Sequence, residues 1–524
     1  MALPENGTQF PPPAWHQIRD KYDEWAAWWE GDEERLTGIY QSQTGLRTRP
    51  SQYAGGLTGT LARFFWGKPR DQLKTSSRLH LPLAADLAAT SAEQVYSSAP
   101  VLTASDDTAQ TVIDQAIEDG FTATLMEGAE SGAVLGGRFH AITRDPAIHD
   151  GRPFITTIHA DQALPEFKWG ELVAVTFVWT IHARGEERVR HLERHELDQA
   201  GNGIVLHGLY RGTRANLGER VPLTDHPDTA ALAGGLSPDG ETLNLPRTPG
   251  LWATYIPNMR PQRRWRTHPT GRYLGRSDLD GIEPWLDRID AIYSELADDV
   301  DLTRGRLIVD EALVNISPDL GTGTGFDLDR RIFTPVGSTM GDRPLMQEVQ
   351  FTSRVDTLLA TIQALTDKVV TTAGWSRATF GEHDQDTDIT ATEIKAREAR
   401  TLSKRARRIS EEKQHVTHLA RKILDLSNLP GRTVTVEWSA TVAPDMRELA
   451  ETAQLLKVAQ AASTYELVRM VHPDWGEQQV VEEVARIHTD GAAPAPDEAW
   501  TPARFLTTES LLASTPEVEE DNAG

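Results

Sequence analysis

Hydrophobic residues follow a helical period in the first part of the chain. Residues 15–37 bring aromatic side chains onto one side of a helix with acidic residues between them, namely Trp15, Tyr22, Trp25, Trp28 and Trp29. This pattern predicts a helix that docks an aromatic face. The same spacing predicts helices over residues 79–98 and between Gln110 and Leu135.

The hydrophobic period changes to two between Gly136 and Tyr210, which predicts an antiparallel β-region. Turn sequences that supply positive φ angles separate its strands, at residues 150–151, 168–170 and 201–203. Residues 212–250 are rich in Gly, Pro, Thr and Asp without a period, so they are predicted to form a long surface loop. A short strand is predicted at residues 251–256.

Two helices are predicted around a small insert. Residues 278–302 carry an apolar stripe and an almost purely acidic opposite face, with Ser277 as the N-cap. Pro284 fits the first turn, or else the regular helix starts late. Residues 305–350 are predicted to be a compact β-and-loop insert, and helix returns at residues 353–371. The strand candidates of the insert are residues 307–309 and 332–334.

The remaining chain is predicted to be mainly helical. A loop over residues 372–389 leads to the capping box Thr390-Ala-Thr-Glu393, whose side chains satisfy free backbone N–H groups at a helix start. A long helix over about residues 391–426 follows. The later predicted elements are a strand at 432–442, helices near 445–462, 464–471 and 476–488, and a disordered tail from 491.

Length and composition limit the class of protein. A chain of 524 residues exceeds one ordinary domain, so two to four modules are expected. The 77 Asp and Glu residues against 53 Lys and Arg residues leave a formal charge of −24, which disfavours a sequence-reading DNA-binding protein. The sequence has no cysteine, which excludes disulfides and thiolate sites. We expect neither a signal peptide nor a membrane span.

A local basic cluster stands out in this acidic chain. It consists of arginines interleaved with a tryptophan, at Arg260, Arg263, Arg264, Trp265 and Arg266.

Motifs for nucleotide and metal chemistry are incomplete. Gly67-Lys68 is followed by proline and lacks the first glycine of a phosphate loop. His191 and His195 have the spacing of a zinc pair on a helix, but their segment alternates like a strand, which favours solvent-facing strand residues. We therefore predict no catalytic residue, no metal and no cofactor.

An aspartate-rich loop precedes the long helix. Asp384, Asp386 and Asp388 supply the first three oxygen positions of a calcium loop, but Ile389 replaces the required glycine and Lys395 the terminal glutamate. A weak contact between these aspartates and a divalent cation stays open as an alternative. The favoured interpretation is that these carboxylates complement the positive end of the following helix.

The order of the predicted elements and the amino-acid sequences of four segments resemble those of one protein family. The segments are Gly275-Arg-Ser-Asp-Leu279, the acidic run 287–299, Thr379-Phe-Gly-Glu-His-Asp384, and residues 390–399. The first two resemble the first stem helix, and the last two resemble the tunnel-loop exit and following helix, of tailed-bacteriophage portal proteins. The resemblance is to the head-to-tail connectors of siphovirus-like actinobacterial phages.

The resemblance implies an α+β, multi-domain portal fold in a ring-shaped homo-oligomer of twelve subunits. The implied parts are a wing region of N-terminal helices and antiparallel β-structure over 1–276, a first stem helix over 277–304, a small α/β clip insert over 305–350, a second stem helix over 351–371, a tunnel loop over 372–390, a long helix and strand of the wing over 391–444, a helical crown over 445–490 and a disordered tail over 491–524.

The resemblance also implies a function without enzymatic activity. Such a ring forms the channel at one capsid vertex for packaging and ejection of double-stranded DNA. The implied partners are further copies of the chain, non-specifically contacted DNA, terminase, major capsid protein, scaffold and head-to-tail adaptor, in a virion assembled in the host cytoplasm. Two other classes stay open, namely a virion adaptor or scaffold protein without a DNA channel, and an unrecognised hydrolase.

Three groups of residues are implied to act in the channel. An acidic stem face would let DNA slide by repelling phosphates, or else is a solvated face, and it consists of Asp287, Asp290, Asp298 and Asp299. A tunnel loop would touch DNA, or pack between neighbouring loops, through Trp375, Arg377 and Phe380. The basic helix would pair with acidic surfaces of adjacent subunits, or contact DNA, through Lys395, Arg397, Arg400, Lys404, Arg405 and Arg408.

Overall fold

The structure of the chain is a computed structural model. It describes residues 3–43, 78–145, 148–302, 306–309, 346–349, 354–380, 391–438, 446–472 and 477–491. The chain divides into two units, Met1–Ser439 and Ala440–Gly524. The first unit contains runs of helices and antiparallel sheets, so the predicted α+β class is confirmed.

The regular elements are numbered along the chain. The described helices are α1 (His16–Glu30), α2 (Glu33–Gln43), α3 (Leu83–Tyr96), α4 (Asp107–Glu118), α5 (Phe121–Leu135), α6 (Pro227–Ala230), α7 (Glu283–Leu302), α8 (Val355–Ala373), α9 (Ala391–Leu426), α10 (Met446–Val458), α11 (Thr464–Val471) and α12 (Glu477–Gly491). The described strands are β1 (Val101–Ala104), β2 (Gly137–Arg144), β3 (Pro153–His159), β4 (Ala163–Lys168), β5 (Glu171–Arg184), β6 (Glu187–Leu197), β7 (Gly203–Thr213), β8 (Asn216–Val221), β9 (Ala253–Pro257), β10 (Arg306–Val309), β11 (Met346–Val349) and β12 (Val434–Glu437).

The predicted antiparallel β-region is confirmed and forms two sheets. Strands β4 to β8 make a five-stranded meander in which each strand pairs with the next along the chain. Strand β2 lies between β3 and β9 in a three-stranded antiparallel sheet. The turns fall where the sequence places them, since Asp150, Trp169 and Gly201 all have positive φ.

The prediction of one long loop over residues 212–250 is wrong. Strand β8 pairs with β7, and the short helix α6 follows between 3-10 turns at Leu223–Asp225 and Ala231–Gly235. Leu217 is the one buried residue of β8. The alternation of apolar residues that marks a strand is therefore too weak here to be visible in the sequence.

The aromatic face predicted for the first helix is confirmed. Tyr22, Trp25 and Trp28 of α1 are each at most 1% exposed. Trp265, from the arginine cluster, packs against them with its ring centre 5.8 Å from that of Trp25. The helix ends at Gly31, whose φ of 66° is left-handed and suits glycine.

Helix α7 begins later than the sequence predicted from its apolar stripe. Its first residue is Glu283, and Pro284 occupies the second position, where the missing N–H of proline costs no helical hydrogen bond. Ser277 does not cap α7 itself. Its hydroxyl instead accepts a hydrogen bond of 2.9 Å from the Leu279 N–H in the preceding turn. Of the two starts that the sequence left open, the late one is confirmed.

Helices α7 and α8, which flank the insert in the sequence, pack against each other. Ile289 and Ile292 of α7 lie in the same core as Ile362 and Val369 of α8. Strands β10 and β11 pair antiparallel between the two helices in sequence, and β10 confirms the strand predicted at 307–309. The other predicted features of the insert lie outside the described residues, namely the strand at 332–334 and the glycine-rich loop at 321–325.

Helix α9 starts at Ala391, directly after the predicted capping threonine. Its apolar side packs into a second core, where Val416, Leu419 and Ile423 are nearly inaccessible. Strand β12 follows and pairs with β1, so the end of this unit is joined to a strand more than 300 residues earlier.

The second unit is helical in its described part. Helix α11 has the predicted bounds, and the Ser463 hydroxyl caps it by accepting a hydrogen bond from the Glu466 N–H. Leu467 and Val480 are buried between α10, α11 and α12. Among the described helices of the whole chain, none is both long and apolar enough to cross a membrane.

Candidate functional site

Asp290 lies inside the protein. The residue is 1% exposed, and its Oδ2 accepts a hydrogen bond of 2.7 Å from the Tyr40 hydroxyl. Its Oδ1 accepts a hydrogen bond of 2.9 Å from the Leu81 N–H, and the His80 ring Nδ1 lies 2.9 Å from Oδ2. A buried carboxylate needs such partners because burial penalises its charge. The expectation that Asp290 belongs to a solvent-facing acidic face is therefore corrected.

The other three aspartates predicted on this face differ in their surroundings. Arg78 donates a hydrogen bond of 2.5 Å to Asp287. Asp299 is 9% exposed and accepts hydrogen bonds from the backbone N–H and the guanidinium of Arg354, which tie α7 to the start of α8. The expectation that Asp299 belongs to a solvent-facing acidic face is therefore also corrected. A channel-lining role for the half-buried Asp287 and Asp298 stays a prediction.

The segment after α8 is partly buried. Trp375 has no exposed surface, so it cannot touch DNA in this structure. Arg377 is exposed and forms an ion pair of 2.8 Å with Asp367, while Phe380 is half-buried against the core. Arg377 and Phe380 remain the predicted contacts of this loop. The aspartates at 384, 386 and 388 lie outside the described residues.

Lys404 of α9 connects the segment before α7 with the end of α8. Its Nζ donates hydrogen bonds of 2.8 Å to Asp278 Oδ2 and 2.9 Å to the Ala373 carbonyl, and it lies 3.8 Å from the ring centre of Trp375. Burial lowers the pKa of Lys404 to about 8. Burial opposes the charge of Asp278, but Lys404 and Arg408 outweigh it and lower the pKa of that carboxyl.

Two further basic residues of α9 are held within their own chain. The Arg405 Nε donates a hydrogen bond of 2.6 Å to the Gln94 carbonyl, and the Arg408 guanidinium donates to the carbonyl and hydroxyl of Ser91. Both arginines are buried. The expectation that Lys404, Arg405 and Arg408 pair with adjacent subunits is corrected, since their polar groups bind α3, the segment before α7, and the end of α8.

The remaining basic residues of that group have different positions. Arg400 is exposed on α9. The side chains of Lys395 and Arg397 lie outside the described residues. Pairing with a neighbouring subunit or with DNA through these three residues stays a prediction.

A buried ion pair joins α9 to strand β2. The Arg138 guanidinium donates hydrogen bonds of 3.0 and 2.7 Å to the two carboxylate oxygens of Glu412. The Tyr96 hydroxyl donates to the same carboxylate at 2.9 Å, and the Arg138 Nε donates to the His140 ring at 2.9 Å. Arg138 and Glu412 are each at most 2% exposed. This pair could not be predicted from the sequence, because 274 positions separate the two residues.

The histidines of β6 lie on a strand, as predicted, but they are buried. The His191 Nε2 lies 3.1 Å from the His207 Nδ1, and the His195 Nε2 lies 2.6 Å from a carboxylate oxygen of Glu193. The interpretation of His191 and His195 as solvent-facing residues is therefore wrong. Within the described ranges, no group of three or more metal-ligating side chains is arranged to hold an ion.

A basic cleft of about 760 Å³ lies where α9 passes the segment before α7 and the C-terminus of α8. Its lining combines two arginines of the predicted cluster with basic residues from elsewhere, namely Arg263, Arg264, Arg276, Arg400, Lys404 and Arg407. The sequence identified the cluster and the basic helix separately. Only the fold shows that the cluster and the helix line the same cleft, and that Arg276 lines it too.

No protein-family model matches this chain. No curated protein matches it either.

Proposed function

We propose that this chain is the ring-forming portal subunit of a tailed bacteriophage, and that its ring conducts double-stranded DNA through one capsid vertex. The order of elements supports the proposal, because two mutually packed helices bracket a small β-insert and a long helix follows them. On this proposal α7 and α8 are the stem, strands β10 and β11 belong to the clip, and the helices of the second unit form the crown.

One observation carries the proposal furthest, namely large apolar side chains on the outer surface of the two packed helices. Trp285 and Val300 of α7 are 38% and 50% exposed, and Leu359 of α8 is 48% exposed. A helix pair in water normally turns such residues inward. In a ring each subunit covers the flanks of its neighbours, which would remove these exposed apolar surfaces from water.

The anchoring of the pair also suits a ring subunit. Lys404 holds the base of both helices, and the Arg138–Glu412 pair fixes α9 to the β-structure. The helices therefore leave the body of the subunit from a rigid base. The formal charge of −24 favours weak, sliding contact with DNA over tight binding. Terminase, head-to-tail adaptor, scaffold and major capsid protein are the proposed partners.

The assembled particle tests the proposal. We expect negative-stain images of the purified full-length chain to show rings with a central hole, and light scattering to give a mass of about twelve chains. Only monomers and small closed dimers across a range of salt concentrations would overturn it. A particle without a hole would favour an adaptor or scaffold, and metal-dependent hydrolysis abolished by a single Asp substitution would favour an enzyme.

A further inference from the structure

The charges of the basic cleft are only partly neutralised within the chain. Arg264 lies 2.6 Å from Asp280, and Lys404 is paired with Asp278. The other four basic residues form no direct ion pair with a carboxylate among the described residues, and they are Arg263, Arg276, Arg400 and Arg407, although Asp278 and Asp280 act on Arg276 at longer range. The cleft therefore holds an excess of positive charge in a strongly acidic protein.

These guanidinium groups are close enough to affect one another. Arg276 is half-buried, and its pKa is lowered by burial first and then by the charge of Arg263, although Asp278 and Asp280 oppose the shift. Arg407 adds to this effect, although it donates a hydrogen bond of 2.7 Å to the Arg260 carbonyl. Like charges gathered in a partly buried place destabilise the folded chain. An anion in the cleft relieves that repulsion.

The lining favours phosphate over a protein segment as the anion. Protein interfaces are built on exposed aromatic and large aliphatic residues, whereas the cleft offers Gly281, Thr372, Gly374 and Ser403 between its charges, and Met259 is 7% exposed. Arginine donates pairs of parallel hydrogen bonds that match phosphate oxygens. The volume equals roughly 25 water molecules at about 30 Å³ each, which is room for several phosphate groups.

We propose that the basic cleft is a phosphate-binding site, in which Arg263, Arg276, Arg400 and Arg407 hold adjacent phosphate groups of a polyanion. The polyanion is either a nucleic-acid backbone or a free polyphosphate. The site goes beyond the proposed function, because every lining residue belongs to one chain and the cleft needs no ring. Its binding is electrostatic, so it weakens as salt is raised.

Binding by the full-length chain tests this site with two probes, inorganic tripolyphosphate by calorimetry and a fluorescent single-stranded oligonucleotide by anisotropy. We expect saturable binding of at least one probe. Arg263→Gln and Arg400→Gln should each weaken it about tenfold, the effect of losing one charge-assisted contact. Arg421→Gln is the matched control, since Arg421 is exposed on the same helix and does not line the cleft. Tighter binding of the oligonucleotide identifies a nucleic-acid backbone, and tighter binding of tripolyphosphate identifies a free polyphosphate.

Three results would overturn the site. These are no saturable binding of either probe, equal weakening by the control and cleft variants, and tighter binding of an acidic peptide than of both phosphate probes. Images of the same variants separate this proposal from the proposed function. Rings that bind no phosphate refute the site alone, and phosphate binding by a chain that forms no rings refutes the portal proposal alone.

Discussion

The ammonium group of Lys404 donates a hydrogen bond of 2.8 Å to the carboxylate of Asp278, and both residues are buried. Lys404 also reaches the last carbonyl of α8, so one side chain of α9 holds the segments at the base of α7 and α8. The Ser91 hydroxyl and the Asn258 amide complete the partners of Asp278. Through Lys404, helix α9 therefore supports the packing of α7 and α8. The charge pattern of the sequence alone indicated that the same side of α9 was a binding surface.

Removal of Lys404 should destabilise the first unit strongly. Lys404→Met leaves the Asp278 carboxylate buried without its main counter-charge, which costs about 3–5 kcal/mol of unfolding free energy. The double variant Lys404→Met/Asp278→Asn should lose less than the sum of the single variants, because no buried charge is left uncompensated. Urea denaturation followed by tryptophan fluorescence measures these differences.

Lys413→Gln is the control for this prediction, since Lys413 is exposed on the same helix. We expect its effect to stay within about 0.5 kcal/mol. Equal, small effects of Lys404→Met and Lys413→Gln would show that the pair contributes no stability.

The sequence predicted most helices and strands because their apolar periods are strong, as in α8 and in strands β5 to β7. It failed where the deciding partner is distant along the chain. Asp290 and Glu295 look alike on one acidic helix, yet Asp290 is buried by Tyr40 and His80, more than 200 positions away. Periodicity describes one element at a time, so it cannot reveal which charges meet a partner from another element.

Asp290 should contribute to stability rather than to the charge of a channel. Asp290→Ala removes the acceptor for the Tyr40 hydroxyl and the Leu81 N–H, so we expect a loss of about 2–4 kcal/mol in unfolding free energy. Glu295→Ala, at an exposed position of the same helix, should change stability by less than about 0.5 kcal/mol. Thermal unfolding of both variants measures this difference. Equal melting temperatures would contradict a structural role of Asp290.

The buried histidines should make the fold sensitive to acid. Burial, with His207 beside it, lowers the pKa of His191 to about 4, although Glu193 opposes the shift. The unfolded chain binds this proton at a pKa of about 6.5, so it takes up more protons than the folded chain between these values. Stability is therefore full above about pH 6.5 and falls as the pH is lowered towards 4, by at most about 3 kcal/mol for this residue.

Replacement of His191 checks this pH dependence. His191→Phe keeps an aromatic ring against Trp179 but cannot titrate, so its unfolding free energy should fall less steeply from pH 6.5 to 4 than that of the wild type. His16→Gln is the control, because His16 is exposed and its replacement leaves every buried histidine in place. A His191→Phe curve parallel to the wild-type curve would exclude this source of acid sensitivity.

Ring assembly should depend on the exposed apolar residues of α7 and α8. Leu359→Asp places a charge on the proposed contact surface, so we expect the chain to remain folded and to sediment as monomers. Thr361→Asp places the same charge two positions away, about 200° around the helix, where the side chain is also exposed. That variant should still form rings if the contact is made through the Leu359 flank.

Rings formed by Leu359→Asp in wild-type yield would place the subunit contact elsewhere. Loss of rings in both variants would mean that both flanks of α8 are covered, because a subunit inside a closed ring has a neighbour on each side.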